Sequence, residues 1–168
     1  MRSTLLALIP AAAFSLSLSV AAADIEALER QLEQARSEAP MVVKPFMTVK
    51  RPAKYFGDYE ARPNSEFRRG EKVRFYGEPK NLTYGKKGDA MEIGFDVDVE
   101  VKGPDGKTLA QEKLMTFKLP TRSRVQDVYL NLDLSLDKAP PGKYNVKFVV
   151  RDANSSKRAE ATQVITVK

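Results

Sequence analysis

Between residues 91 and 101 the chain alternates strictly. Met91, Ile93, Phe95, Val97, Val99 and Val101 share one parity, while Glu92, Asp96, Asp98 and Glu100 share the other. A period of two over this length describes an extended strand with one buried and one wet face, and it is incompatible with a helix. Such half-buried strands belong to antiparallel sheets packed on a core by one face. Gly103-Pro104-Asp105-Gly106 follows as a turn sequence, because proline pre-sets one turn dihedral and glycine accepts the left-handed one. It predicts a hairpin onto residues 108–119, where the alternation slips between Leu109 and Met115 and predicts a bulge. The same period returns at Val128, Leu130, Leu132, Leu134 and Leu136, then at Tyr144, Val146, Phe148 and Val150. A turn at residues 152–156 leads to a last strand over 159–167, and residues 57–62 and 72–78 add two strands upstream. About seven short strands separated by turn chemistry predict an all-β protein, a seven-stranded antiparallel β-sandwich. An up-and-down barrel is the alternative that purely local pairing would give.

The segment before the strands reads differently. Met1-Arg2, an apolar run from Leu5 to Val20 and the small residues Ala21-Ala22-Ala23 predict a signal peptide over residues 1–23, with Asp24 as the first mature residue. That run is shorter than the roughly 20 residues a spanning helix needs, so an integral membrane protein is not expected after cleavage. Over residues 24–38, Ile25, Leu28, Leu32 and Ala35 recur at helical spacing and form one apolar stripe. Acids sit in the first turns, and Pro40 follows the end. A helix this short is marginal alone, so its stripe must lie against its own domain, a second copy or another protein, or else the segment is a partly helical arm. Residues 40–56, with three prolines, read as an extended connector that adds an edge strand around Phe46 to Val49. The resulting organisation is a signal peptide (1–23), an amphipathic helix (24–39), a connector (40–56) and a sandwich (57–168).

The absent residues exclude whole classes of chemistry. The sequence has no cysteine and no histidine. That removes disulfides, thiolate nucleophiles, thiolate metal sites, imidazole ligands and the usual general base near neutral pH. Exported chains without cysteine fit a bacterial envelope, so a periplasmic or secreted location is expected. Charge is uneven. Residues 24–38 carry five acids against two bases, and the remainder of the mature chain carries the basic surplus. That surplus suits anionic partners, or simply keeps a β-protein soluble and its edges unpaired.

The stretch LDKAPPGKYNVKFVVRD, residues 136–152, resembles the corner of immunoglobulin-like and fibronectin type III-like sandwiches. In those folds a tyrosine early in a strand bonds back to the backbone. The resemblance assigns that structural role to Tyr144. Arg69-Gly70-Glu71-Lys72-Val73-Arg74-Phe75-Tyr76 is similar to the opening strand of bacterial extracellular sandwich domains, macroglobulin-like modules among them. The likeness is one of fold, covers roughly residues 57–167 and carries no functional residues with it.

Three regions merit attention as sites. Asp96, Asp98 and Glu100, with Glu92 beyond, form an acidic row that offers oxygen ligands to calcium. Side chains on one strand face diverge, however, and pairing with Lys113 or Lys118 across the hairpin accounts for the row. The turn at Asp152, Asn154 and Ser155 is a second calcium candidate that turn chemistry also explains. Residues 44–87 interleave eight aromatics with twelve bases, a composition suited to sugars, anionic polymers or extended peptides. Alternation places Phe75 and Tyr59 in the core and leaves Tyr55, Phe56, Tyr76 and Tyr84 as partly exposed ligand-binding candidates, with Arg68, Arg69 and Arg74 beside them. No catalytic residue, metal site or cofactor is expected. Glu78 with Asp96 or Glu92 could make a glycosidase-like pair, but their spacing does not single them out.

The reading that follows is a non-catalytic exported binding or adaptor module that engages a protein or glycan of the cell envelope through a sandwich surface or strand edge. One alternative is an assembly protein in which residues 24–38 pair two copies as a homodimer. Another is a charge-driven binder of anionic envelope polymer. Nucleic acid is not an expected partner.

Overall fold

The computed structural model describes residues 24–168, so the signal peptide expected over 1–23 lies outside the described residues. The helix α1 (Ile25–Glu38) starts where Asp24 accepts a hydrogen bond from the Ala27 N–H (3.1 Å), satisfying one free donor of the first turn. Nine strands follow: β1 (Val42–Thr48), β2 (Glu66–Phe67), β3 (Lys72–Lys80), β4 (Gly85–Lys87), β5 (Ala90–Lys102), β6 (Thr108–Thr121), β7 (Leu130–Ser135), β8 (Gly142–Asp152) and β9 (Arg158–Val167). They form two sheets, which removes the barrel alternative. One has the order β1-β3-β7. The other runs β2-β9-β8-β5, with β4 and β6 also paired to β5.

The strict alternation of residues 91–101 becomes the middle of the larger sheet. β5 buries Ile93, Phe95, Val97, Val99 and Val101 and turns Asp96, Asp98 and Glu100 away from the core. β8 and β9 bury Tyr144, Val146, Phe148, Val150, Ile165 and Val167 against Phe75 and Val73 of β3. Across the interior, the Phe75 ring meets Phe148 edge-on at 4.9 Å and stacks on Phe46 at 5.7 Å, so one aromatic group ties the two sheets together. The predicted bulge is present. Val97 pairs with Met115 and Val99 with Gln111, so three residues of β6 stand opposite Asp98. Lys113 takes φ +51 there and donates its N–H to the Asp98 carboxylate (2.8 Å). Tyr144 makes the corner its resemblance implied, its hydroxyl donating to the Pro140 carbonyl (2.7 Å).

Three expectations need correction. The strand count is nine rather than seven, and the short β2 runs parallel to β9, so the sheets are not wholly antiparallel. β2 and β4 have two and three residues, too few to show a period. The strand expected at residues 57–62 is a loop with one bridge, Val49 to Ala61. Gly57 sits at φ +79, and Asp58 accepts the Lys54 N–H (3.0 Å), which bends the chain. The edge strand in the connector is longer than expected, running over Val42–Thr48 against β3.

The helix stripe does not pack on its own sandwich. Ile25, Leu28 and Leu32 are 67%, 53% and 48% exposed, and no residue of α1 is buried. Polar contacts hold the helix instead. Glu33 pairs with Arg124, Arg36 donates to Gln126 (2.7 Å), and Lys157 donates to the Arg36 carbonyl (3.1 Å). Among the described residues no helix is long and apolar enough to cross a membrane.

Candidate functional site

The aromatic–basic stretch of residues 44–87 does not converge on one surface. Tyr76, expected to be partly exposed, is completely buried. Alternation does turn it away from the main core, but residues 49–59 fold over it and make a second small core of Val49, Ala53 and Tyr76. The Gly57 N–H donates to the Tyr76 hydroxyl (2.8 Å), which donates to buried Glu78 (2.9 Å). Burial pushes the Tyr76 phenol up to about 12, with the neighbouring Glu78 carboxylate adding to the rise and the Gly57 N–H opposing it. Tyr59, expected in the core, lies 4.7 Å from the Tyr76 ring and is 38% exposed. Asn131 clamps the loop by exchanging two hydrogen bonds with the Ala53 backbone. Arg51 grips Asp58 with both guanidinium nitrogens (2.6 and 2.9 Å), and with the Lys54 N–H it holds that carboxyl well below the usual carboxylate range.

The other candidates are scattered. Tyr55 is exposed. Phe56 and Tyr84 are half-buried and line a shallow cavity of about 350 Å³ at the foot of α1. There the Tyr84 hydroxyl bonds both backbone groups of Val125, and Arg124 lies over its ring at 4.7 Å. Arg68 and Arg69 are exposed beyond β2, at the opposite end of the sandwich, and Arg74 is half-buried 4.0 Å from Asp133. Tyr84 and Phe56 therefore share a surface, and the arginine candidates do not join them.

The acidic row is neutralised within the sheet. Asp96 lies 3.7 Å from Lys113, the partner expected across the hairpin, and accepts from the Thr116 hydroxyl (2.6 Å). That hydroxyl, more than the nearby cations, holds its carboxyl below its ordinary value. Asp98 and Glu100 take Arg151 (2.8 Å) and Lys147 (2.9 Å) from β8, a neighbour the sequence order does not reveal. Asp152 in the second calcium candidate accepts the N–H groups of Thr83 (2.6 Å) and Asn154 (2.7 Å), so its carboxylate organises two loops. Among the described residues no group of three acids is placed to hold a metal ion.

The feature that composition does not disclose is at the sandwich edge. The sheet containing β6 is wider than its three-stranded partner, so the inner face of β6 overhangs. Leu109 pairs in register with Val101, and paired residues project from the same face. Val101 is 7% exposed, whereas Leu109 is 76% exposed because no strand lies over it. Beneath it is a groove of about 480 Å³ with Val99 and Val101 as its floor and Leu134, Leu136, Ala139 and Tyr144 as its far wall. β6 pairs only with β5 and β7 only with β3, so unpaired strand edges flank the groove on both sides. The turns bounding it carry Lys107 and Lys138 against Asp105 and Asp137.

No family model matches the chain, and no curated protein matches it significantly. Among solved structures it is similar to the alkylpurine DNA glycosylase AlkC of Pseudomonas fluorescens, at 13% identity and a TM-score of 0.45. That match covers 84% of this chain and 36% of the glycosylase, so this chain spans little more than a third of it. It is similar to the CARDB domain of the PF1109 protein from Pyrococcus furiosus, at 11% identity and a TM-score of 0.38, covering 78% and 90% of the two chains. The sulfur carrier protein SoxY from Chlorobium limicola is similar at 12% identity and a TM-score of 0.33, covering 84% and 96%. At these values the likenesses carry no inference about substrate or partner.

Proposed function

We propose that this chain is an exported, non-catalytic docking module, an immunoglobulin-like sandwich that takes an apolar segment of a protein partner into the groove between β6 and β7. The observation that carries this reading is Leu109, 76% exposed on an inner sheet face above an apolar floor. Free strand edges beside that floor favour a polypeptide, whose backbone can pair with them, over a glycan. A sugar site wants exposed aromatic faces, and the groove's one aromatic, Tyr144, is 5% exposed. A purely charge-driven role fits less well, because the bounding turns mix both signs and the floor is aliphatic.

Twelve-residue peptides selected on the mature chain by display should share apolar anchors and bind with weak dependence on salt. Leu109→Asp is expected to weaken them roughly tenfold or more, since burying a leucine contributes about 1.5–3 kcal/mol. Because Leu109 is exposed in the free chain, thermal stability should be unchanged. Selected peptides that bind Leu109→Asp as well as the parent would refute the groove. Export makes a separate prediction: chain recovered from the envelope fraction should begin at Asp24 by intact mass, and a cytosolic, full-length product would count against it.

A further inference from the structure

We infer that the segment occupying the groove is α1 of a second copy, so that copies join head to tail. This names the partner of the docking site and rests on that reading. Three observations carry it. The apolar stripe of α1 is uncovered, its large members Ile25, Leu28 and Leu32 all exposed while polar contacts tie the helix to its own sandwich. Anchors spaced like these are how a helix reads an apolar groove.

The stripe and the groove also lie at opposite ends of the sandwich. The foot of α1 is tied down where β3 and β8 finish, by Asn81 donating to the Pro40 carbonyl (2.9 Å) and by Lys157. The groove opens beside the 103–106 turn and the corner held by Tyr144, where β8 begins. The length of β8, roughly 30 Å at about 3.3 Å per residue, separates them. A helix of about 21 Å anchored at one end cannot fill the groove of its own chain.

Charge decides between the two ways of using a second copy. Residues 24–38 carry five acids against two bases, while the turns bounding the groove are balanced, Lys107 and Lys138 against Asp105 and Asp137. Helix on groove sets the acidic helix against a surface that does not repel it. Two α1 helices side by side would bring like charges together over only two heptads, a short and self-repelling coiled coil. A contact between different surfaces leaves each copy one free helix and one free groove, so assembly continues into chains or closes into a ring.

Two variants test this in sedimentation experiments on residues 24–168. One disables the helix (Leu28→Gln with Leu32→Gln) and the other disables the groove (Leu109→Asp). All three positions are exposed, so unchanged melting temperatures confirm folding. The parent should form species that grow with concentration, and each variant alone should associate about tenfold more weakly or worse. An equimolar mixture of the two should form a one-to-one heterodimer and stop, because it contains one intact helix and one intact groove. A groove variant that self-associates like the parent would overturn the inference in favour of helix–helix pairing. A parent that stays monomeric while its groove still binds selected peptides would overturn this inference alone. A monomeric parent that binds no peptides would overturn the docking reading with it.

Discussion

Replacing Phe148 with alanine is expected to destabilise the domain by about 3–5 kcal/mol, the range for truncating a buried aromatic ring. Phe148 is fully buried, and its ring contacts Phe75 at 4.9 Å and Phe46 at 5.6 Å. Phe75 and Phe46 belong to the three-stranded sheet and Phe148 to the other, so truncation opens a cavity where the two layers meet. A domain of this size has about 5–15 kcal/mol of stability in all. The variant should therefore unfold at a much lower urea concentration, and at the weaker end of that range it would not stay folded at 37 °C. Phe148→Leu keeps much of the volume and should lose less. If the alanine variant shifted the urea midpoint by no more than the leucine variant, the aromatic group would not be the link between the sheets.

Tyr76→Phe should have the next largest effect, about 1–3 kcal/mol, out of proportion to the loss of one oxygen. The hydroxyl joins the Gly57 N–H to the buried Glu78 carboxylate, and its removal leaves a donor and a buried acceptor unpaired. The same group sets an alkaline limit. Burial raises the folded phenol to about 12, above the ordinary value of 10, so the folded state holds its proton more tightly than the unfolded state. Its contribution is complete below about pH 10 and is lost as pH rises towards 12. Tyr144 is also raised by burial and keeps part of this slope in the variant. Urea titrations between pH 8 and 12 should show a shallower decline for Tyr76→Phe than for the parent. Identical slopes would mean that Tyr76 ionises as freely as a surface tyrosine.

Much of the fold is legible in the order of residues. β5, β7 and β8 are long enough for alternation to name their buried faces. The turn at 103–106, the bulge near Lys113 and the helix over 25–38 follow from local chemistry, and the Tyr144 corner from the resemblance of residues 136–152 to immunoglobulin-like sandwiches. Where reading failed, the determining contact was distant in sequence. Alternation at Tyr76 correctly turns it off the main core, but only the folding of residues 49–59 over that face buries it. Glu100 and Asp98 looked like partners for the next strand, yet β8 supplies their cations from about fifty residues away.

The groove beside Leu109 shows the same division. Hydrophobic period, turn residues and capping are interactions between neighbours, so sequence alone determined the long strands, which side of β5, β7 and β8 seeks a core, and that one short helix precedes them. How many strands each layer receives is a property of the whole chain. Six strands facing three leave the inner face of β6 without a lid. That mismatch in width exposes Leu109 and, at the far end from an uncovered helix, opens the groove. Burial depends on what lies opposite, and only the assembled sheets decide that.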